Sequence, residues 1–130
     1  IGARLPLLIG AVGKVFMAGM TDGEASQFLR DAGLRRDTEK SITNPGLYMD
    51  EVRKAREAGY ALDDEEYIQG VRAAAAPIHY AGPQASAIWV VGFTQSMTDA
   101  SMPVIAMETK RAAEAISRKA GLRPVEGKGL

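Results

Sequence analysis

Four consecutive carboxylates, Asp63-Asp64-Glu65-Glu66, form the densest group of chemically active side chains in the sequence. Oxygen-rich clusters can bind hard cations, but one contiguous run lacks the spacing of a calcium-binding loop. A paired-carboxylate hydrolase needs two acids directed into one cleft, whereas adjacent residues point in different directions. The run is therefore interpreted as a solvated acidic turn, in which one member has room for a more specific role.

Histidine, cysteine and serine offer little for catalysis. His79 is the only histidine and the chain contains no cysteine. These counts exclude a multi-histidine metal site, thiolate ligands, disulfide bonds and a cysteine nucleophile. No serine lies in a nucleophile-elbow pattern. We predict no catalytic residue, no metal and no cofactor; a hydrolase or isomerase that uses Asp63, Asp64 or His79 as acid or base is an alternative without a second positioned group.

A glycine-containing segment, residues 10–14, ends in Gly13-Lys14 as a phosphate-binding loop does. The required glycine is replaced by Leu8, and Val15 stands where Ser or Thr should follow, so a phosphate loop is excluded. The segment is predicted to be a loop that opens a short, buried, apolar helix at residues 15–18. Free backbone N–H groups at such a helix start favour an anion. Lys14 is predicted to be a structural lysine.

Composition places limits on the function. A chain of 130 residues fits one domain, and 46% hydrophobic residues are enough for a globular core. Sixteen basic residues balance sixteen acidic ones, so the basic excess of a DNA-binding surface is missing. The longest apolar run, residues 5–12, is broken by Pro6 and Gly10 and is too short to cross a bilayer. We expect a cytoplasmic protein without a membrane segment.

The predicted elements are helices followed by a hairpin and a last helix. Residues 1–8 contain Pro6 and can form a strand only at a sheet edge or in their last residues. A helix between Thr21 or Asp22 and Gly33 buries apolar residues at three- and four-residue spacing, and another covers residues 47–58 and ends at Gly59. The apolar runs 71–80 and 85–94, separated by a turn at 81–84, predict a β-hairpin. A long helix then runs from Ser101 to Gly121, with its inward face at Ile105, Thr109, Ala112, Ile116 and Ala120.

This order predicts an α+β domain, an antiparallel sheet flanked by helices. Three stretches of the sequence, in this order, also resemble the IclR family of bacterial transcription regulators. They are GARLP at residues 2–6 with GAVGKVFMA at 10–18; EVR at 51–53 with GYALDDEE at 59–66; and GV at 70–71 with AAPI at 75–78 and AIWVVG at 87–92. Together they cover almost the whole chain.

The resemblance implies a GAF-like sensor domain that binds a small organic acid and is not an enzyme. It implies an N-terminally incomplete effector-binding domain at residues 1–121, followed by a flexible tail at 122–130. The family's winged helix-turn-helix and the start of its sensor domain would precede this sequence. DNA would be a partner only through that absent part, and a homo-oligomer, dimer or tetramer, is expected.

The resemblance also implies a set of ligand-binding residues. It places one wall of the effector pocket at the start of the first helix, directs Asp63 at the effector, and builds the pocket floor from alternate residues of the hairpin. The matching positions are Ala11, Val12, Asp63, Ala73, Trp89 and Val91.

Trp89 and Val91 depart from relatives that sense small keto acids, because those relatives carry hydroxyl side chains here. Both residues lie on one face of a strand, and that face is now apolar. Two interpretations stay open: the effector is larger and more apolar, for example an aromatic acid, or Trp89 fills the pocket. An oligomerisation module with a collapsed pocket is the corresponding alternative function.

Overall fold

The computed structural model describes residues 10–79 and 85–119. Its helices and strands follow the chain in the order α1 Gly10–Ala18, α2 Asp22–Ala32, α3 Pro45–Ala58, β1 Ala61–Asp64, β2 Val71–Ile78, β3 Ser86–Phe93 and α4 Met102–Lys119. The predicted α+β class is confirmed. The strand expected at residues 1–8, the hairpin turn and the tail lie outside the described residues.

The described sheet has three antiparallel strands in the order β1-β2-β3. The predicted hairpin is confirmed, since β2 and β3 pair along their full lengths from Val71↔Phe93 to Ile78↔Ser86. β1 pairs with the other side of β2, so that Asp63 lies opposite Ala73. The central strand β2 therefore fixes the positions of both neighbours.

Helices cover both faces of the sheet. Ala73 and Ala75 of β2 pack with Ala11 and Val15 of α1 and with Ala55 of α3 in one buried cluster. The alternate alanines of β2 point to the opposite face, where α4 packs. Alanine side chains let the helices approach the strand closely, so all four alanines at 73–76 are buried.

The predicted start and stop signals of the helices are largely confirmed. Thr21 caps α2 in a reciprocal capping box with Glu24, and Gly33 follows its last residue. Asn44 caps α3 with Pro45 in its first turn, so the helix begins two residues before the predicted start. Gly59 ends α3 in the left-handed conformation.

Three local predictions were wrong. Residues 10–14 do not form a loop but the first turns of α1, which buries most of its residues as predicted. Asp63 and Asp64 belong to β1, and the turn begins at Glu65. The buried face of α4 is Met102, Ala106, Thr109, Ala113 and Ser117. Of the predicted inward residues only Thr109 is buried in the described part of the helix, and Ile116 is exposed.

Candidate functional site

Asp63 is an almost buried carboxylate, with 4% of its surface exposed, on the sheet face that α1 covers. Its Oδ1 accepts a hydrogen bond from the backbone N–H of Glu66 at 2.8 Å. Burial raises the pKa of Asp63 to about 6; the Glu66 N–H and the Lys14 ammonium act against this rise, while the Glu66 and Asp64 carboxylates add to it. Asp63 is thus a buried hydrogen-bond acceptor and differs from the solvent-exposed carboxylate of Asp64 beside it.

Gly10 lies directly against the second oxygen of this carboxylate. It has a left-handed φ of +58°, and a Cβ atom added to it would lie 2.5 Å from Asp63 Oδ2. Only glycine meets both requirements without strain. The sequence analysis missed Gly10 as a site residue; the available signal was a glycine immediately before an apolar helix.

The first turn of α1 supplies the complementary chemistry. The first N–H groups of a helix have no partner within the helix, and its dipole makes this end positive. Asp63 therefore places one acceptor beside a set of backbone donors. Such a pair of features suits a ligand that carries both an anionic oxygen and a hydrogen-bond donor.

Three predicted site residues form one row across the sheet. Ala73 is the Cα partner of Asp63 on β1 and of Val91 on β3. Trp89 lies in the neighbouring row, opposite Ala75. Since side chains alternate along a strand, all of these residues share one face, and the row from Asp63 to Val91 is roughly 10 Å wide.

The predicted residues of α1 pack over this same face. Ala11 is buried in the cluster that contains Ala73, and Val12 packs against the edge of that cluster with part of its surface exposed. The structure therefore brings Ala11, Val12, Asp63 and Ala73 together. Ala11 and Ala73 are fully buried core residues, so a ligand could contact only the side chains around them.

The β3 part of the face is open. Trp89 is 39% exposed, Val91 49% and Phe93 69%. The predicted common face of Trp89 and Val91 is confirmed by the register. These residues offer an apolar surface beside the polar end of the site at Asp63.

Lys14 is the buried cation behind the site, with 1% of its surface exposed. Its Nζ donates to the Leu62 carbonyl at 2.7 Å and to Glu66 Oε2 at 3.0 Å, and lies 3.6 Å from Glu51 Oε1. It joins α1 to β1, to the acidic turn and to α3. These contacts agree with the structural role predicted for it.

The remaining carboxylates of the acidic run are ion-paired. Asp64 contacts Arg72 at 2.8 Å and Lys40 at 3.5 Å, and Glu65 contacts Lys40 at 3.0 Å. Burial acts to raise the pKa of Asp64, but hydrogen bonding to Arg72 and the nearby cations outweigh it and lower that pKa. The predicted acidic turn is thus exposed at Asp64 but also ion-paired, with Lys40 shared between Asp64 and Glu65.

The other acid–base candidate lies far from Asp63. His79 follows β2, six residues beyond Ala73, which is roughly 20 Å along an extended strand. It is exposed, and its backbone N–H donates to Ser117 of α4, at the opposite layer. Across residues 10–79 and 85–119, no three His, Cys, Asp or Glu side chains are grouped to hold a metal ion.

Comparison with known proteins identifies the family. The sequence profile described as "Bacterial transcriptional regulator IclR C-terminal" matches residues 1–118. The chain belongs to this family. It is 34% identical over 117 residues to the HTH-type transcriptional regulator BhcR of Paracoccus denitrificans, a match that covers 89% of this chain and 42% of that protein. The chain thus spans less than half of this relative.

Two solved structures show the same architecture. The C-terminal domain of the Escherichia coli regulator KdgR aligns with a TM-score of 0.79 at 30% identity, over 93% of this chain and 74% of that one. The inducer-binding domain of PobR from Acinetobacter, a double mutant in complex with 3-hydroxybenzoic acid, aligns with a TM-score of 0.80 at 24% identity, over 91% of this chain and 68% of that one. The GAF-like sensor fold is therefore confirmed.

No helix within the described part of the chain has both the length and the hydropathy that a bilayer crossing requires.

Proposed function

We propose that this domain is a non-catalytic sensor that binds a small organic acid between the start of α1 and the sheet face of Asp63, Trp89 and Val91. The observation that carries the proposal is the contact between Gly10 and Asp63, which holds an almost buried carboxylate beside the N-terminal end of a helix. Carboxylates whose pKa is strongly raised by burial are found preferentially at functional sites, and burial raises the pKa of Asp63 to about 6.

The chemistry of the two ends of the site defines the ligand class. The effector carboxylate would accept hydrogen bonds from the backbone N–H groups at the start of α1. A hydroxyl or similar donor on the effector would point to Asp63, because two unprotonated carboxylates repel each other at close range. Val12 belongs to the first of these ends, and Ala11 and Ala73 form the packed base.

The apolar surface of β3 favours an aromatic acid over a small aliphatic one. Trp89 and Val91 leave a large part of their surface uncovered in the described structure, and a flat ring can stack on an indole. The PobR domain, which has the same fold, holds 3-hydroxybenzoic acid in its double mutant. This compound carries the carboxylate and the hydroxyl that the two ends of the site call for.

The sensor would act on transcription through a DNA-binding domain outside this sequence. An effector shifts the equilibrium between two arrangements only if its affinity for them differs. We further propose that the protein forms a homo-oligomer, a dimer or tetramer, and is cytoplasmic. DNA would be the partner of the other domain. The regulatory names of the family and of the relatives support the role in transcription.

Trp89 provides a direct assay, because it is the only tryptophan in the chain. Titration of the purified chain with 3-hydroxybenzoate, benzoate, pyruvate and glyoxylate should give a saturable change of indole fluorescence with the aromatic acids. A thermal shift would check the result, since a ligand at a hundred times its Kd stabilises by about 2.7 kcal/mol. Benzyl alcohol, which lacks the carboxylate, should give neither signal.

Two variants separate the parts of the site. Asp63→Ala should lose the preference for 3-hydroxybenzoate over benzoate, because the hydroxyl loses its acceptor. Trp89→Thr should weaken binding of aromatic acids and not of pyruvate, as judged from thermal shifts. No response of the wild-type chain to any of the four acids would favour the collapsed-pocket alternative.

A further inference from the structure

The loop between α2 and α3 contacts the acidic turn through two hydroxyl groups. Thr38 Oγ1 donates to the Glu65 carbonyl at 2.6 Å, and Ser41 Oγ donates to the Glu66 carbonyl at 2.7 Å. The partners are separated by 27 and 25 positions in the chain. These are tertiary contacts, and they bind the carbonyl groups of two successive residues of the turn.

The two hydroxyls are themselves fixed by the loop. Ser41 Oγ accepts hydrogen bonds from the backbone N–H groups of Asp37 and Thr38, both at 2.8 Å. Thr38 Oγ1 accepts one from the N–H of Lys40 at 3.1 Å. A hydroxyl that accepts from the backbone has its single proton left for one outward bond, and here that bond goes to the turn.

The turn needs external support because its backbone is strained. Glu65 has a φ of +57°, the only positive φ of a non-glycine residue in the described chain. Such a conformation persists only when its surroundings over-determine it. The Glu65 side chain adds to the support, since it accepts from the Gly70 N–H at 2.9 Å and from Lys40 at 3.0 Å.

The strained conformation at Glu65 sets the direction of the next peptide group. The Glu66 N–H points back to Asp63 Oδ1 at 2.8 Å, and the carbonyl of the same peptide group, that of Glu65, is the one that Thr38 holds at 2.6 Å. Ser41 holds the carbonyl of the following peptide group, that of Glu66. The Glu66 side chain is anchored separately on Lys14 at 3.0 Å. The peptide between Glu65 and Glu66 is thus held by the loop on one side and holds Asp63 on the other.

We propose that Thr38 and Ser41 are positioning residues of the effector site, which act through the turn to keep the Glu66 N–H on Asp63 and thereby leave Oδ2 directed at the start of α1. They do not touch the effector. The inference rests on the proposed function only in naming Asp63 as the effector-contacting group. The hydrogen-bonded relay from the loop to Asp63 can be tested without any effector.

The test is the pH titration of the Glu66 amide proton by NMR in the effector-free chain. An N–H that is bonded to a carboxylate shifts strongly as the carboxylate ionises, so in the wild type this amide should follow Asp63. Thr38→Val and Ser41→Ala should each reduce the amplitude to less than about half, since a hydrogen bond weakens steeply with distance and angle. Thr38→Ser keeps the hydroxyl and should restore it.

Thr43→Val is the matched control. Thr43 lies in the same loop and is exposed, and among the described residues its hydroxyl contacts only Arg36, at 3.5 Å. Its loss should leave the Glu66 amplitude unchanged. A lower melting temperature of Thr38→Val or Ser41→Ala with an unchanged amplitude would mean that the hydroxyls stabilise the fold without positioning Asp63, and would overturn the inference.

A second measurement covers the case in which the variants do not fold. In the wild type, hydrogen exchange at the Glu66 amide should be as slow as at the amides of β1, because the loop keeps the bond closed. Exchange at the rate of an unprotected amide would overturn the proposal. Since no effector is present in either experiment, failure here is distinct from failure of the sensor function.

Discussion

The raised pKa of Asp63 makes a quantitative prediction about stability. When an acidic group has a higher pKa in the folded state than in the unfolded chain, the folded protein becomes less stable as the pH rises. The reason is that the folded state must give up a proton that it binds more tightly than the unfolded chain does. Asp63→Asn removes this charge and nearly keeps the shape. The free energy of unfolding of the variant should therefore increase relative to that of the wild type as the pH rises from about 4 to above 6.

The magnitude follows from the two pKa values. The difference between 3.8 and about 6 corresponds to about 3 kcal/mol, because each pH unit is worth about 1.4 kcal/mol. At pH 4 the folded state is still almost fully protonated while the unfolded chain is about half ionised, so less than about 1 kcal/mol of this difference is expressed. Between pH 4 and pH 7.5 the stability of the variant relative to the wild type should rise by about 2 kcal/mol.

The assay is urea denaturation of both proteins at the two pH values. The change with pH is the decisive quantity, because the fit of the amide beside Gly10 adds a cost that does not depend on pH. Asp64→Asn is the matched control: Asp64 is the next residue, exposed, with a lowered pKa from its partners Arg72 and Lys40. The stability of Asp64→Asn relative to the wild type should therefore fall as the pH rises.

Equal pH dependence in Asp63→Asn and the wild type would refute the reasoning, since it would mean that Asp63 ionises as freely in the folded state as in the unfolded chain. A change of the opposite sign would mean that the Glu66 N–H and the Lys14 ammonium outweigh burial. In either case Asp63 would be an ordinary structural carboxylate.

Two further substitutions test the packing of the site by denaturant unfolding. Gly10→Ala should cost more than the roughly 1–2 kcal/mol of a left-handed alanine, because its Cβ would meet Asp63 Oδ2 at 2.5 Å. Gly70→Ala also has a positive φ, +84°, with nothing within 4 Å of the added Cβ, so equal losses at the two glycines would contradict the close contact. Lys14→Met should cost about 3 kcal/mol because it leaves the Leu62 carbonyl and the partly buried Glu66 carboxylate without their cation. Lys54→Met, at a 75% exposed side chain, should change stability by less than about 0.5 kcal/mol; a similar small loss at Lys14 would show that its ion pairs contribute little.

Much of the fold was predictable because its signals are local. Thr21 and Glu24 define a capping box within four residues, and Gly59 ends α3 for a reason contained in its own backbone. The hairpin was predictable because period-two patterns and turn residues occur side by side. The α+β class follows from the order of these elements.

The errors arose where a local pattern had more than one solution. The glycines of residues 10–14 favour a loop in isolation, but packing on β1 and β2 makes them helical. On α4 the apolar residues did not mark the inward face, since Ala113 and Ser117 are buried and Ile116 is not. Small residues face the sheet there because the helix lies close to the alanines of β2.

The sequence by itself determined the class of domain, the hairpin, the helix ends and, through the family resemblance, the residues to examine. Only the tertiary structure decided how they act together. It placed Gly10 against the Asp63 carboxylate. It also brought Lys14 into hydrogen bonds with Leu62 and Glu66, and Thr38 and Ser41 into hydrogen bonds with the acidic turn. The physical reason is that burial acts through space: Asp64 and Glu66 contribute to the pKa of Asp63 from nearby in the chain, but its largest cause, burial under α1, is not encoded in the adjacent residues.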